Sequence, residues 1–235
     1  MKTGFLPLPL LLVLLAGFAV SSAQAAILVV VEARGINLKP GATLDSNQAL
    51  NLKQGQHVTL ISDTGSTLKL DGPYSRPPAA TGAAGVSLTN TLGALVTQRQ
   101  ARAGEFGTTR GQVLAALPDP WLVDVTHSGS ACIQENRMPV FWRPDAGGAA
   151  TLTVAPSDRS WKSESRWPAG RDRITVTTDV PMKVGQTYVV SFNGSDYAIA
   201  LVPVPSVLAN DAMRAAWMAD KGCEAQAQAL AKSVR

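Results

Sequence analysis

Short runs of alternating apolar and polar residues recur along most of the chain, which is the pattern of half-buried β-strands. Such runs are predicted at 27–31, 38–45, 49–53, 57–62, 66–71, 121–126, 131–134, 139–143, 150–155, 173–178, 187–192 and 197–204. Within the early runs, apolar residues two apart, such as Val58 and Leu60, are expected to place one strand face in a core and the other in water. Asn193-Gly194, between the last two runs, is a strong hairpin signal. The pattern predicts a mainly β protein.

A helical period replaces this alternation in two places. Apolar residues at helical spacing predict a short amphipathic helix within 86–98. Near the end of the chain, Ser206 or Asn210 is expected to cap a helix that runs to Lys221 and stops at Gly222. A second helix should follow, and its apolar face is formed by Cys223, Ala227, Leu230 and Val234. We expect these two helices to form a hairpin docked on the preceding β-domain.

The first 25 residues have the features of a secretory signal peptide. Lys2 is a positive start, 6–20 is apolar, and Ala23-Gln24-Ala25 is the small-x-small pattern cleaved by signal peptidase. A membrane anchor is the alternative, but the prolines at 7 and 9 and the polar residues from Ser21 leave the run short of about 20 apolar residues. No second long apolar run follows. The sequence therefore predicts export to the periplasm with cleavage after residue 25.

Changes in composition divide the chain into five predicted segments. They are a signal peptide at 1–25, a small β-domain at 26–78, a linker with a short helix at 79–120, a β-sandwich at 121–205 and docked helices at 206–235. Seven short runs after Trp121 favour an immunoglobulin-like sandwich, because antiparallel strands of this length must bury one face against a second sheet.

Charge and cysteine content narrow the possible partners. The net charge of +4 is a mild excess, so an exported chain of this kind is expected to meet an anionic envelope polymer rather than nucleic acid. Two cysteines in an oxidising compartment predict a disulfide between Cys132 and Cys223, which would tie the C-terminal helices to the sandwich. With His57 and His127 they fit no zinc spacing, and neither a metal nor a cofactor is expected.

Two weaker patterns point to catalysis. His127 and Cys132 could form a nucleophile pair, because an imidazole can hold a nearby thiol as thiolate. Asp124 and His127 could instead act with Ser128 or Ser130 as a hydrolase triad. No Gly-x-Ser-x-Gly elbow occurs in the chain. A hydrolase acting on envelope material is therefore the alternative to a non-catalytic protein.

The stretch 157–171 interleaves tryptophans with cations and is predicted to be a loop. Its candidate binding residues are Arg159, Trp161, Arg166, Trp167 and Arg171. Aromatic faces stack on sugars and guanidinium groups pair with carboxylate or phosphate, so the loop could bind a glycan or another protein. Alternatively, the tryptophans fill the margin of the sandwich core.

The early β-units resemble a known module. Lys39-Pro40-Gly41-Ala42-Thr43-Leu44, followed by the stretch from Leu50 to Pro73, is similar to the periplasmic domain of FecR-like proteins over about residues 28–78. The stretches 121–143 and 222–227 also resemble exported proteins of alphaproteobacteria. The resemblance implies a small FecR-like β-domain. Classical members signal to a sigma factor through a transmembrane helix, and we expect no such helix here. The expected function is a non-catalytic envelope protein that binds another envelope protein or an anionic polymer.

Overall fold

The protein is mainly β, with two helices at the C-terminal end of the chain. The computed structural model describes residues 26–81, 116–178 and 180–233. The predicted signal peptide, the predicted helix within 86–98 and most of the predicted linker lie outside the described residues. The strands are β1 Ile27–Arg34, β2 Thr43–Asp45, β3 Leu50–Leu52, β4 His57–Ile61, β5 Thr67–Asp71, β6 Tyr74–Arg76, β7 Leu122–Asp124, β8 Gly129–Gln134, β9 Val140–Trp142, β10 Ala150–Pro156, β11 Ser163–Trp167, β12 Arg173–Thr175, β13 Thr187–Phe192 and β14 Ser195–Val204. A 3-10 helix spans Pro78–Thr81, and the α-helices are α1 Asp211–Asp220 and α2 Glu224–Ser233.

The N-terminal strands form an antiparallel four-stranded sheet in the order β2-β1-β4-β5, beside a separate β3–β6 ribbon. Leu28, Val30, Val58, Leu60 and Leu70 pack with β3 on one face of this sheet. The opposite face is also buried at β1 and β4, where α1 covers it. The prediction of one wet face is therefore wrong for β4, because a strand pattern does not show that a distant helix will cover its second side.

The sandwich consists of a five-stranded sheet, β11-β10-β13-β14-β8, and a three-stranded sheet, β12-β9-β7, which share one apolar core. Asn193 and Gly194 both have positive φ, and the hairpin predicted there joins β13 to β14. The β14–β8 and β7–β9 pairs are parallel. Because alternation shows which residues share a face and not which strands pair, the sequence did not predict this pairing.

The two helices form the predicted hairpin, and α1 lies between the N-terminal sheet and the sandwich. Six of its ten residues are buried, which is typical of a central helix. The Asn210 side chain accepts a hydrogen bond from Met213 N at 2.9 Å and donates one to Asp63 O at 2.8 Å. At the other end, Lys221 Nζ donates to Val31 O at 2.9 Å, and Gly222 has the left-handed φ of a helix end. The hairpin is thus attached to both β-regions, not to the sandwich alone.

Helix α2 closes the β8 edge of the five-stranded sheet. The predicted disulfide between Cys132 and Cys223 is present. One turn further along α2, the buried Gln226 side chain accepts from Cys132 N at 2.6 Å and donates to Cys132 O at 2.8 Å. The side-chain amide therefore makes the two bonds that another strand would make with this residue. Neither described helix is long and apolar enough to span a bilayer.

Candidate functional sites

The predicted binding loop divides into a turn and a strand. Ser163–Trp167 forms β11, paired with β10, so the prediction of one continuous loop over 157–171 is wrong. Alternate residues of β11 face the core, and Trp167 is fully buried there. The alternative that a tryptophan fills the sandwich margin is confirmed for Trp167. Arg166 is exposed on the outer face of the sheet.

A buried cation supports the segment that follows β11. Arg143 is 2% exposed, and its guanidinium carbon lies 5.0 Å from the centre of the Trp167 ring. Its Nε donates to Arg171 O at 3.1 Å, and its Nη2 donates to Pro168 O at 2.9 Å. These bonds hold the 168–171 turn from beneath and leave the Arg171 side chain exposed. Trp167 and Arg171 are the predicted binding residues nearest this turn. Trp167 is buried, so of the two only Arg171 is accessible to a ligand.

The turn before β11 is closed by local hydrogen bonds. Asp158 Oδ1 accepts from Ser160 N at 3.0 Å and from Ser160 Oγ at 2.8 Å. The backbone and hydroxyl donors of Ser160 lower the pKa of Asp158 below its usual value of 3.8. Arg159, between these residues, has φ 55°, and its side chain is exposed. The Asp-x-Ser arrangement is an Asx turn, which tolerates the left-handed conformation at its centre.

Trp161, at the end of this turn, lines a groove of about 430 Å³. The opposite wall comes from the segment 180–187 and includes Lys183 and Gln186. Tyr188 lies behind Trp161, with 6.0 Å between the ring centres. Its hydroxyl accepts from Lys183 N at 2.6 Å and lies 3.2 Å from Gln186 Oε1. Tyr188 therefore supports both walls, so the groove is formed without a ligand.

The sequence analysis found one side of this groove and missed the other. Trp161 was recognisable because an aromatic residue stood among cations. Lys183 and Gln186 carry no comparable signal, since they are ordinary polar residues more than 20 positions away. The pairing of β10 with β13, which sets Pro156 opposite Tyr188, brings the two segments together.

A second, smaller site lies at the turn between β7 and β8. Asp124 Oδ1 accepts from Thr126 N at 2.8 Å and Thr126 Oγ1 at 2.7 Å, and Asp124 Oδ2 lies 3.1 Å from His127 Nδ1. Thr126 Oγ1 is also 2.8 Å from His127 Nδ1. Because the single threonine hydroxyl proton is donated to Asp124, these contacts assign a proton to His127 Nδ1. In neutral histidine, Nε2 then carries the free lone pair.

His127 borders a cleft of about 200 Å³ that also contacts Ser128, Ser130 and the start of α2. The structure thus brings Asp124 and His127 together. Ser128 Oγ instead accepts from Ala198 N at 3.0 Å, and among the described residues no hydrogen bond joins His127 to either serine. The Cys132–His127 nucleophile pair is excluded, because the Cys132 sulfur is in the disulfide.

Groups of three or more histidine, cysteine or acidic residues able to hold a metal do not occur in the described part of the chain. Comparisons with protein-family models, with curated proteins and with solved structures found no match to this chain.

Proposed function

We propose that this chain is a non-catalytic, exported periplasmic protein that binds an anionic glycan in the Trp161 groove. Export is supported by the signal-peptide features of residues 1–25 and by the disulfide, a bond typical of oxidising compartments. The FecR-like assignment of about residues 28–78 remains a proposal, supported by the short strands and turns of the N-terminal region.

The observation that carries the proposal is a preformed groove with an aromatic wall. Trp161 is half-buried, and its side chain lines the groove beside Ser160 and opposite Gln186. An aromatic ring can pack against the apolar face of a sugar while its N–H and the side chains of Ser160 and Gln186 bond the hydroxyl groups. This combination of one ring and several small polar groups favours a glycan over an apolar ligand.

The charges around the groove favour an anionic polymer. Lys183 lies in one wall, Asp158 lies in the other with its carboxylate bonded to Ser160, and the neighbouring Arg159 is exposed without an acidic partner in the described structure. Lys162, next to Trp161 in the chain, lies 3.9 Å from Glu164. Guanidinium and ammonium groups that lack an internal partner can pair with carboxylates along a polymer. Of the two expected partner classes, this arrangement favours the polymer over an envelope protein.

Retention of the mature protein on alginate, a polyuronate, tests this proposal against dextran as a neutral polymer. We expect retention on alginate only, weakening as salt is raised. Trp161→Ala should lower the affinity on the order of tenfold, while Trp161→Phe should keep most of it because the aromatic face remains. Lys183→Ala should weaken binding, whereas Lys53→Ala, an exposed lysine on the N-terminal module, should not.

Equal retention of Trp161→Ala and the wild-type protein would contradict the groove assignment. Failure of the wild-type protein to bind alginate, combined with specific capture of an envelope protein, would transfer the proposal to the other partner class. Thermal melts of each variant separate a loss of binding from a loss of folding.

A hydrolase is the second candidate, and the Asp124–His127 contact is the observation that favours it. A histidine whose Nδ1 is held by a carboxylate can accept a proton at Nε2, as a general base requires. If this candidate is correct, the protein should cleave p-nitrophenyl acetate, and His127→Ala and Asp124→Asn should each lower the rate. If the wild-type protein does not raise the rate of p-nitrophenyl acetate hydrolysis above the uncatalysed rate, the Asp124–His127 contact serves only to stabilise the turn.

A further inference from the structure

The outer edge of β11 is open in the described structure. This strand ends the five-stranded sheet and pairs with β10 alone. Among the described residues, the backbone of Ser163–Trp167 makes no hydrogen bond beyond that ladder, and the side chain of the first residue, Ser163, donates to Thr177 O at 3.1 Å. An edge of this kind presents unpaired N–H and C=O groups to which another strand can be added.

The side chains on this edge alternate in charge. Glu164 and Arg166 are exposed on the outer face, with Ser165 between them facing inward. Arg166 has no ion pair among the described residues, and Glu164 has only a 3.9 Å contact with the exposed Lys162. Charged side chains on an edge strand, lysine especially, commonly oppose edge-to-edge pairing. Here each sign is matched by the opposite sign two residues away.

This order of charges is complementary to itself in an antiparallel pair. If two copies meet with Ser165 on the two-fold axis, Glu164 of each copy lies opposite Arg166 of the other. A shift of the pairing by two residues in either direction keeps the same side chains on the same face. It places Glu164 opposite Glu164 of the other copy, or Arg166 opposite Arg166. Opposite charges directly across a strand pair stabilise it, and like charges destabilise it. One register is therefore favoured over its neighbours.

We propose that β11 is a self-association edge, at which a second copy of the chain adds its own β11 antiparallel about Ser165. The two five-stranded sheets then form one continuous sheet, and the interface is two-fold symmetric. The pairing involves five residues on each side. An interface of this size is well below the roughly 1,200 Å² of stable complexes, so the dimer should be weak and dependent on concentration. This inference does not depend on the groove or on its ligand.

Three charge variants of the mature, disulfide-bonded protein test the proposal by sedimentation velocity over a concentration series. Glu164→Arg and Arg166→Glu each convert both cross-strand pairs into like charges. Each should weaken association on the order of tenfold. The double variant E164R/R166E restores opposite charges in the same register and should return association close to that of the wild-type protein.

Lys69→Glu is the matched control, because it makes the same charge change as Arg166→Glu on the exposed face of another strand, β5. It should leave association unchanged. The proposal is overturned if the wild-type protein is monomeric throughout the series, if either single variant associates as the wild type does, or if the double variant stays dissociated. Circular dichroism of each variant verifies that the fold is retained.

Discussion

The two edges of the five-stranded sheet are protected in different ways. At the β8 edge, α2 lies against the strand, the disulfide joins Cys132 to Cys223, and the Gln226 amide bonds both backbone groups of Cys132. At the β11 edge, Glu164 and Arg166 are exposed, no further strand of the described structure pairs with β11, and the Ser163 hydroxyl at its first residue donates to Thr177 O. In the described structure, the sheet therefore ends on one side at a helix and on the other at a strand with a single strand partner. The β8 edge is held in place by contacts with residues distant in sequence, whereas β11 is held in place by its pairing with the preceding strand, β10.

Removing the disulfide should have the largest effect on the closed edge. The bond joins residues 91 apart in sequence. On the chain-constraint model, closing a loop of that length stabilises the fold by about 4–5 kcal/mol as an upper figure. The double variant Cys132→Ala/Cys223→Ala should unfold at a clearly lower urea concentration. Proteinase K should cut it near the exposed Val207, which precedes α1.

The same proteolysis experiment shows whether the sandwich stays folded when the C-terminal helical hairpin is cut away. Of the described residues, none in α1 or α2 belongs to the main sandwich core, whereas both helices contribute to the core shared with the N-terminal sheet. A protected fragment containing the sandwich is therefore expected after the helices are removed. An unchanged urea midpoint and an intact C-terminal segment in the double variant would show that packing and Gln226 hold the edge without the bond.

The next effect should come from Gln226. Gln226→Leu leaves the buried Cys132 N–H and C=O without partners, which should cost roughly 2–4 kcal/mol in the free energy of unfolding. Gln228→Leu is the matched control on the same helix, because that side chain is exposed, and it should change stability by less than about 0.5 kcal/mol. Urea denaturation measures both. Equal midpoints for the two variants would show that the amide clamp contributes nothing.

The sequence predicted the closed edge in part. With two cysteines in the chain, the disulfide had one possible pairing. The spacing of Cys223, Ala227 and Leu230 defined the docked face of α2, and all three are buried. Gln226, one turn after Cys223, lies on that same face, and this position was the available signal. Its role could not be inferred, because a glutamine on an apolar face gives no indication of which backbone groups it will meet.

The open edge was not predicted, and the reason is the composition of β11. Two of its three inward positions are serines, and only Trp167 is a large apolar residue. The sequence of β11 therefore shows almost no alternation of apolar and polar residue types, although the burial of its side chains alternates along the strand. The Trp161 groove was found on one side only, because strand pairing brings its second wall from a distant part of the chain.

The smallest predicted effect concerns the turn that leads into the open edge. Ser160 donors lower the pKa of Asp158, so the carboxylate should stay ionised, and the turn closed, at every pH above its usual value of 3.8. Because the folded-state pKa is the lower one, the contribution of this group to stability is present above pH 3.8. It is lost as the pH falls through the folded value. An NMR titration of the Asp158 side chain should give a midpoint below 3.8.

Ser160→Ala removes the hydroxyl donor but keeps the backbone donor, so the Asp158 midpoint should rise only part of the way toward 3.8. Arg173→Ala is the control, because Arg173 lowers the pKa of Asp172 instead. It should raise the Asp172 midpoint and leave that of Asp158 in place. A wild-type Asp158 midpoint at or above 3.8 would contradict the turn geometry. If the two variants shift the Asp158 and Asp172 midpoints in this way, the β10–β11 turn is held by hydrogen bonds within three residues. The β8 edge, in contrast, is held by partners 91 and 94 positions away.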